Sequence, residues 1–253
     1  MRCRRCGEEI IQHLFAEVLS RFSPYLSYFG RLRRSRGFGV HSPFAFRFVL
    51  DVMCQKHPYY AYEAIAHLHL YAVRLAKHKA WSHRVLPMSE AKALFRVINY
   101  YNPQHILHIG STAGFTVAVS ALPSSKSRHW LYVPAHESTD MLTSCAERVT
   151  RERDLTSAAE HFAQAIASTG AVPVVVIDML DSEAEAQAEA VVRNAIDRRG
   201  VIVFCNIHHR GASQRLCTVA KQYAQRGMWF GNYSFGVLVA NPKLPRQDFM
   251  LRL

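Results

Sequence analysis

"ILHIGSTAGFTVAV", residues 106–119, holds an apolar run, a glycine, three small residues, a second glycine and a helix-compatible stretch. The spacing predicts a strand, a tight loop and a helix. Gly110 lets the backbone leave the strand sharply, and Gly114 lets the helix approach closely. G-x-x-x-G is not the phosphate-binding G-x-G-x-x-G, and no G-K-[ST] follows, so a nucleoside triphosphate is not the expected ligand. A small-residue turn and a cofactor loop both satisfy this pattern.

Working outward, the same texture repeats from residue 105 onward. "WLYVPA" (130–135), "VPVVVID" (172–178) and "GVIVFCN" (200–206) are short apolar runs of strand type. Helical stretches are expected at about 139–153, at 182–199 and at about 212–226. "MWFGNYSFGVLVANP" (228–242) reads as two strands joined by a tight turn near Asn232. Continuous apolar strands alternating with helices predict an α/β, doubly wound, mostly parallel sheet covered on both faces, closed by an antiparallel hairpin. Upstream, Ser42-Pro43 is a good helix entry. Residues 59–78 and 89–101 read as further helices, the last ended by Asn102-Pro103. The expected division is an N-terminal basic helical cap, 1–104, and an α/β domain, 105–253.

With 49% apolar and 20% charged residues among 253, the composition is that of a globular chain. No run approaches the length of a membrane span and the N-terminus lacks a secretory pattern, so a cytoplasmic protein is expected. Cys3 and Cys6 form a lone "CRRC" without a second pair for zinc, and the six cysteines read as free thiols. The net charge of +12 is concentrated early: nine basic against three acidic residues in 1–47, but fifteen against thirteen from 105 on. "RLRRSR" (31–36) could meet nucleic acid or an anionic partner, yet no nucleic-acid motif accompanies it and a solvated basic face explains it as well.

The loop "IGSTAGFT" resembles the E-I-G-x-x-x-G-x-S loop of class I S-adenosylmethionine-dependent methyltransferases, particularly their O-methyltransferase-like branch. The likeness extends to a small Bacteroidetes family of such enzymes. "GVHSPFAFRFVLDVM", "HPYYAYEAI", "ALFRVINYYNPQHILHIG", "VVVIDMLDS", "GVIVFCNIHHR" and "FGVLVANPKLPRQDFMLRL" follow its blocks in order, from about residue 38 to the end. The resemblance implies the Rossmann-like class I methyltransferase fold and S-adenosylmethionine as cofactor, with an unidentified small molecule as methyl acceptor. It implies cofactor contacts at His108, Gly110, Ser111, Thr112, Ala113, Gly114, Pro134, His161 and Asp178.

Several of these positions depart from the family pattern. His108 replaces an acid that helps hold the methionine ammonium. Pro134 stands near the acid that binds the ribose, with His136 and Glu137 close enough in sequence to substitute. His161 stands where an acid often reaches toward the adenine, and Cys205-Asn206 replaces an acidic pair. Asp178 is retained, with Asn206, His208 and His209 expected at the same strand ends. Asp178, Asn206 and His208 are therefore the catalytic candidates, His208 as base, and His41, Tyr59 and Tyr60 the acceptor-binding ones. A metal site would want a second acid, so none is expected. Three readings remain: an O-methyl-transferring enzyme, a catalytically degenerate methyltransferase fold acting as a binding or scaffold protein, or, resting on the basic N-terminal region, a nucleic-acid-linked protein such as an RNA methyltransferase.

Overall fold

The structure, a computed structural model, describes residues 30–37, 39–78, 85–134, 139–208 and 211–253. Cys3, Cys6, His136, Glu137 and His209 lie outside the described residues. Eight strands form one sheet in the order β3-β2-β1-β4-β5-β7-β6-β8. They are β1 (His105–Ile109), β2 (Arg128–Tyr132), β3 (Val149–Glu152), β4 (Val174–Asp178), β5 (Val201–Cys205), β6 (Met228–Gly231), β7 (Gly236–Val239) and β8 (Gln247–Met250). Only β7 runs against the others, paired antiparallel to both β5 and β6. The strand order turns back between β1 and β4, which pair directly with Leu107 opposite Val175. In open α/β sheets such a reversal leaves a crevice at the carboxyl ends of the strands.

Side-chain alternation assigns the two faces. Leu107, Ile109, Val175, Ile177, Ile202 and Phe204 pack under α6 (Leu155–Thr169), α7 (Glu185–Asp197) and α8 (Gly211–Tyr223). Ile106, Val174, Val176, Val201 and Val203 point the other way. There they meet Ala45, Phe48, Val52, Ile65, Leu94 and Phe95 from α2 (Pro43–Arg47), the π-helical turn Phe48–Met53, α3 (Tyr62–His78) and α4 (Met88–Tyr101). Helix α5 (Phe115–Ala121) lies on this face too, and every residue in it is buried. The upstream helices thus share one apolar core with the sheet. Arg96, 6% exposed, fastens α4 to the π-helical turn through the carbonyls of Val52 and Met53, and also donates to the Tyr62 hydroxyl.

Ser42 caps α2 by accepting from the Ala45 amide, and Asn102 closes α4 in the left-handed region at φ 41°, as the sequence signals predict. Residues 139–153 do not form the expected helix. They make two 3-10 turns, Asp140–Ser144 and Ala146–Arg148, and then β3, which extends the sheet beyond β2. The helix sits downstream instead, at α6, where Asp154 accepts from the Ser157 amide and Leu155, Ala158, Phe162 and Ile166 form the buried stripe. No helix among the described residues is long and apolar enough to cross a membrane.

Candidate active site

The loop between β1 and α5 is made by three consecutive constraints. Gly110 has φ +74°, and a Cβ there would lie 2.0 Å from the Asp178 carbonyl oxygen of β4. Ala113 takes φ 54°. Gly114 has φ +83°, and a Cβ there would come within 2.9 Å of the Leu142 side chain. The Gly110 amide also donates to the Tyr132 carbonyl at the end of β2. The glycines therefore serve close backbone packing, and the loop they shape opens at the β1/β4 reversal.

Asp178 organises what surrounds that loop. Its parity along β4 turns it toward the α4/α5 face, where it is fully buried. One carboxylate oxygen accepts from the Thr112 amide at 3.0 Å and the Thr116 hydroxyl at 3.3 Å, and the other accepts from Asn206 Nδ2 at 2.8 Å. Burial raises the Asp178 pKa, and these hydrogen bonds oppose the rise. Ser111 lies within the same network, 2.8 Å from the Thr116 hydroxyl. Cys205 stands opposite Asp178 in register. Burial, then the charges of Asp178 and Glu90, pushes its thiol pKa well up, so it stays protonated.

Glu90, in the first turn of α4, has no sequence motif around it and was not among the expected site residues. It is 3% exposed. Its Oε1 accepts from Asn232 Nδ2 at 2.9 Å and from the Ser234 hydroxyl, both in the β6–β7 turn, while Oε2 is buried with no partner. Among the described residues neither Glu90 nor Asp178 has a cationic partner.

The remaining candidates divide clearly. His208 is exposed just past β5, its ring 6.3 Å from that of Tyr233 in the β6–β7 turn, so it shares the carboxyl end with Asp178 and Asn206. Pro134 is half-buried two residues beyond β2, at the same end. His108 differs from the expected ligand contact. It is fully buried on the α5 face, with Nε2 3.0 Å from His129 Nδ1, and burial, reinforced by His129, holds its pKa well below the ordinary value. A neutral imidazole beneath α5 neither holds nor repels a cation.

His161 is not brought to the loop: it lies on α6, its Nδ1 2.9 Å from Glu152 and its side chain 53% exposed. Tyr59 and Tyr60 pack on Phe95, and the Tyr60 hydroxyl donates to the Leu122 carbonyl at the far end of α5. That end lies about 12 Å of helical rise away from Gly114. The Tyr59 ring serves the packing of α3 and α4, whereas Tyr60 is 75% exposed. His41 is exposed just before α2.

No known family profile matches the chain, and no curated protein matches it in sequence. Solved structures do match. A protein assigned as a caffeoyl-CoA O-methyltransferase from Staphylococcus aureus is 13% identical, with a TM-score of 0.50 over 71% of this chain and 99% of its own. An O-methyltransferase from Bacillus cereus in complex with SAH is 16% identical, with a TM-score of 0.47 over 76% of this chain and 96% of its own. The strand order and the first of these matches give the chain the Rossmann-like fold of class I methyltransferases.

Proposed function

We propose that this chain binds S-adenosylmethionine in the crevice at the carboxyl ends of β1 and β4 and transfers its methyl group to an oxygen of a small molecule. The observation that carries the reading is electrostatic. Two buried carboxylates, Asp178 bonded to the loop and Glu90 bonded to the β6–β7 turn, lie at the carboxyl end of the sheet without a cationic partner among the described residues. Hydrogen bonds satisfy Asp178 but leave Glu90 Oε2 bare; buried carboxylates without a counter-charge are costly, and a cofactor bearing a sulfonium and an ammonium would offset them. When bound, that cofactor supplies an electrophilic methyl group.

The chain's own part is positioning. Asp178 fixes the loop through Thr112 and Thr116 and holds Asn206 in place. Gly110 to Gly114 would hold the methionine portion. His208, exposed at the mouth, is the group placed to take a proton from the acceptor hydroxyl. In this reading residues 105–253 hold most of the cofactor, and the helical region to residue 104 covers the acceptor side and contributes Glu90 from α4. Its helix α1 (residues 30–35) supports that role: Arg31 lies 5.2 Å above the Tyr233 ring, beside His208. The block order along the sequence supports the narrower kinship with the Bacteroidetes enzymes.

Thermal unfolding with added nucleotides tests the reading. A ligand held at a hundredfold above its Kd stabilises by about 2.7 kcal/mol. S-adenosylmethionine and S-adenosylhomocysteine should each raise the Tm by several degrees while ATP and NAD leave it unchanged. Equal shifts from all four, or none, would refute it.

A further inference from the structure

We propose that Glu90 is the carboxylate that receives the α-ammonium of the bound cofactor, through its bare Oε2. The inference rests on the reading above and assigns a residue that the methyltransferase resemblance does not.

The argument starts from an imbalance within one side chain. Oε1 is doubly satisfied by Asn232 and Ser234, which fixes the carboxylate in place. Oε2, equally buried, accepts nothing. An acid in the first turn of a helix is favoured by the helix dipole, and that accounts for an exposed Glu at this position. It does not account for a carboxylate that is 3% exposed with half of its acceptor capacity idle. Buried polar atoms are almost always paired, so an exception is met by an ordered water, an ion or a ligand donor.

The charge of that donor follows from the neighbours. Asp178 stands opposite Cys205 at the ends of β4 and β5, and Glu90 is bonded to Ser234, whose carbonyl accepts from the Ile207 amide just past β5, so both carboxylates lie at the carboxyl end of β5. A neutral donor would satisfy Oε2 but leave that charge in place, whereas an ammonium satisfies both. Position selects the cofactor's ammonium. Asp178, one strand register from Cys205, is bonded to the Thr112 amide of the loop, so the negative volume begins where the loop ends. His108, at the β1 position where the family carries an acid, is turned away under α5 and paired with His129. The acid has in effect moved from β1 to α4.

Glu90→Gln in the full chain tests this. The amide keeps an oxygen for Asn232 and Ser234 while removing the charge. Two probes, titrated calorimetrically against wild type and variant, separate the ammonium from the rest: S-adenosylhomocysteine carries it and 5′-methylthioadenosine lacks it. A hydrogen bond to a charged group predicts a loss of about tenfold to a hundredfold for S-adenosylhomocysteine. The 5′-methylthioadenosine affinity should stay within about twofold, well below one such bond. The ligand-free Tm of the variant should not fall, because a charge without a partner has been removed. Unchanged S-adenosylhomocysteine affinity, or equal losses for both probes with a lowered Tm, would overturn the assignment while leaving the cofactor site standing. If wild type binds neither probe, the cofactor reading fails and takes the assignment with it.

Discussion

Asp178, Glu90 and His108 are buried polar side chains, and each behaves differently. Asp178 is saturated, so its loss is structural first: Asp178→Ala strands the Thr112 amide, the Thr116 hydroxyl and the Asn206 amide. Stranded buried donors cost about 1–3 kcal/mol each; a fall of roughly 3 kcal/mol or more in unfolding free energy is expected by urea titration, and less than 1 would contradict the network. The histidine pair has a direction. Burial keeps both rings neutral, with His129 lowered to about 3 by burial, then by Arg148. Ser127 donates to the Ser124 carbonyl, so its oxygen accepts from His129 Nε2, and the Nδ1 of the neutral His129 accepts from His108 Nε2. Folded pKa values below the unfolded 6.5 mean that the unfolded chain binds protons first. The stabilisation is full above pH 6.5 and is lost as pH falls toward 3, at up to about 1.4 kcal/mol per pH unit per histidine. His108→Leu with His129→Leu should flatten that limb of the stability profile; an unchanged slope would show that these rings are not its source. Asp178 was legible in the sequence because it ends an apolar strand. Glu90 was not, because its burial depends on a turn more than 140 residues away; at His108 the resemblance implies a ligand contact, and the pairing with His129 that turns it away depends on a neighbouring strand.

At the level of elements, the glycines of the loop make unequal demands, and substitution should rank them. Gly110→Ala drives a Cβ into the β4 backbone, which cannot yield. Gly170, in the left-handed cap of α6 at φ +64°, has nothing within 4 Å of such a Cβ, so Gly170→Ala pays only the conformational cost of about 1 kcal/mol. Gly110→Ala should therefore lower the Tm several-fold more than Gly170→Ala; equal effects would mean that the β1–β4 approach is looser than described. By contrast, the bidentate pair between Arg215 on α8 and Glu185 on α7 is exposed, and Arg215→Ala should cost no more than about 1 kcal/mol. Strand–helix units with strong apolar runs were readable in advance. The edge strands β3 and β8 were not: "VTRE" and "QDFM" are only partly apolar and become strands because β2 and β6 offer them a free edge. Helix α6 escaped notice because its alanines and its Phe162 stand between polar residues, so its stripe becomes evident only against Trp130 and the sheet.

For the molecule as a whole, the sheet needs both covers. Phe48 packs tilted against Phe230 of β6 with ring centroids 4.7 Å apart, and Phe230 stacks on Phe249 of β8, so the upstream helices close the face that ends at Asp178 and Cys205. A single cooperative unfolding transition is the expected behaviour of the full chain. The central claim is that the β1/β4 crevice holds S-adenosylmethionine with its negative side chains in place of the missing β1 acid. Isothermal titration of the full chain with S-adenosylhomocysteine addresses it most directly. The account predicts saturable binding of one molecule per chain in the micromolar range; no binding up to millimolar concentration would contradict it.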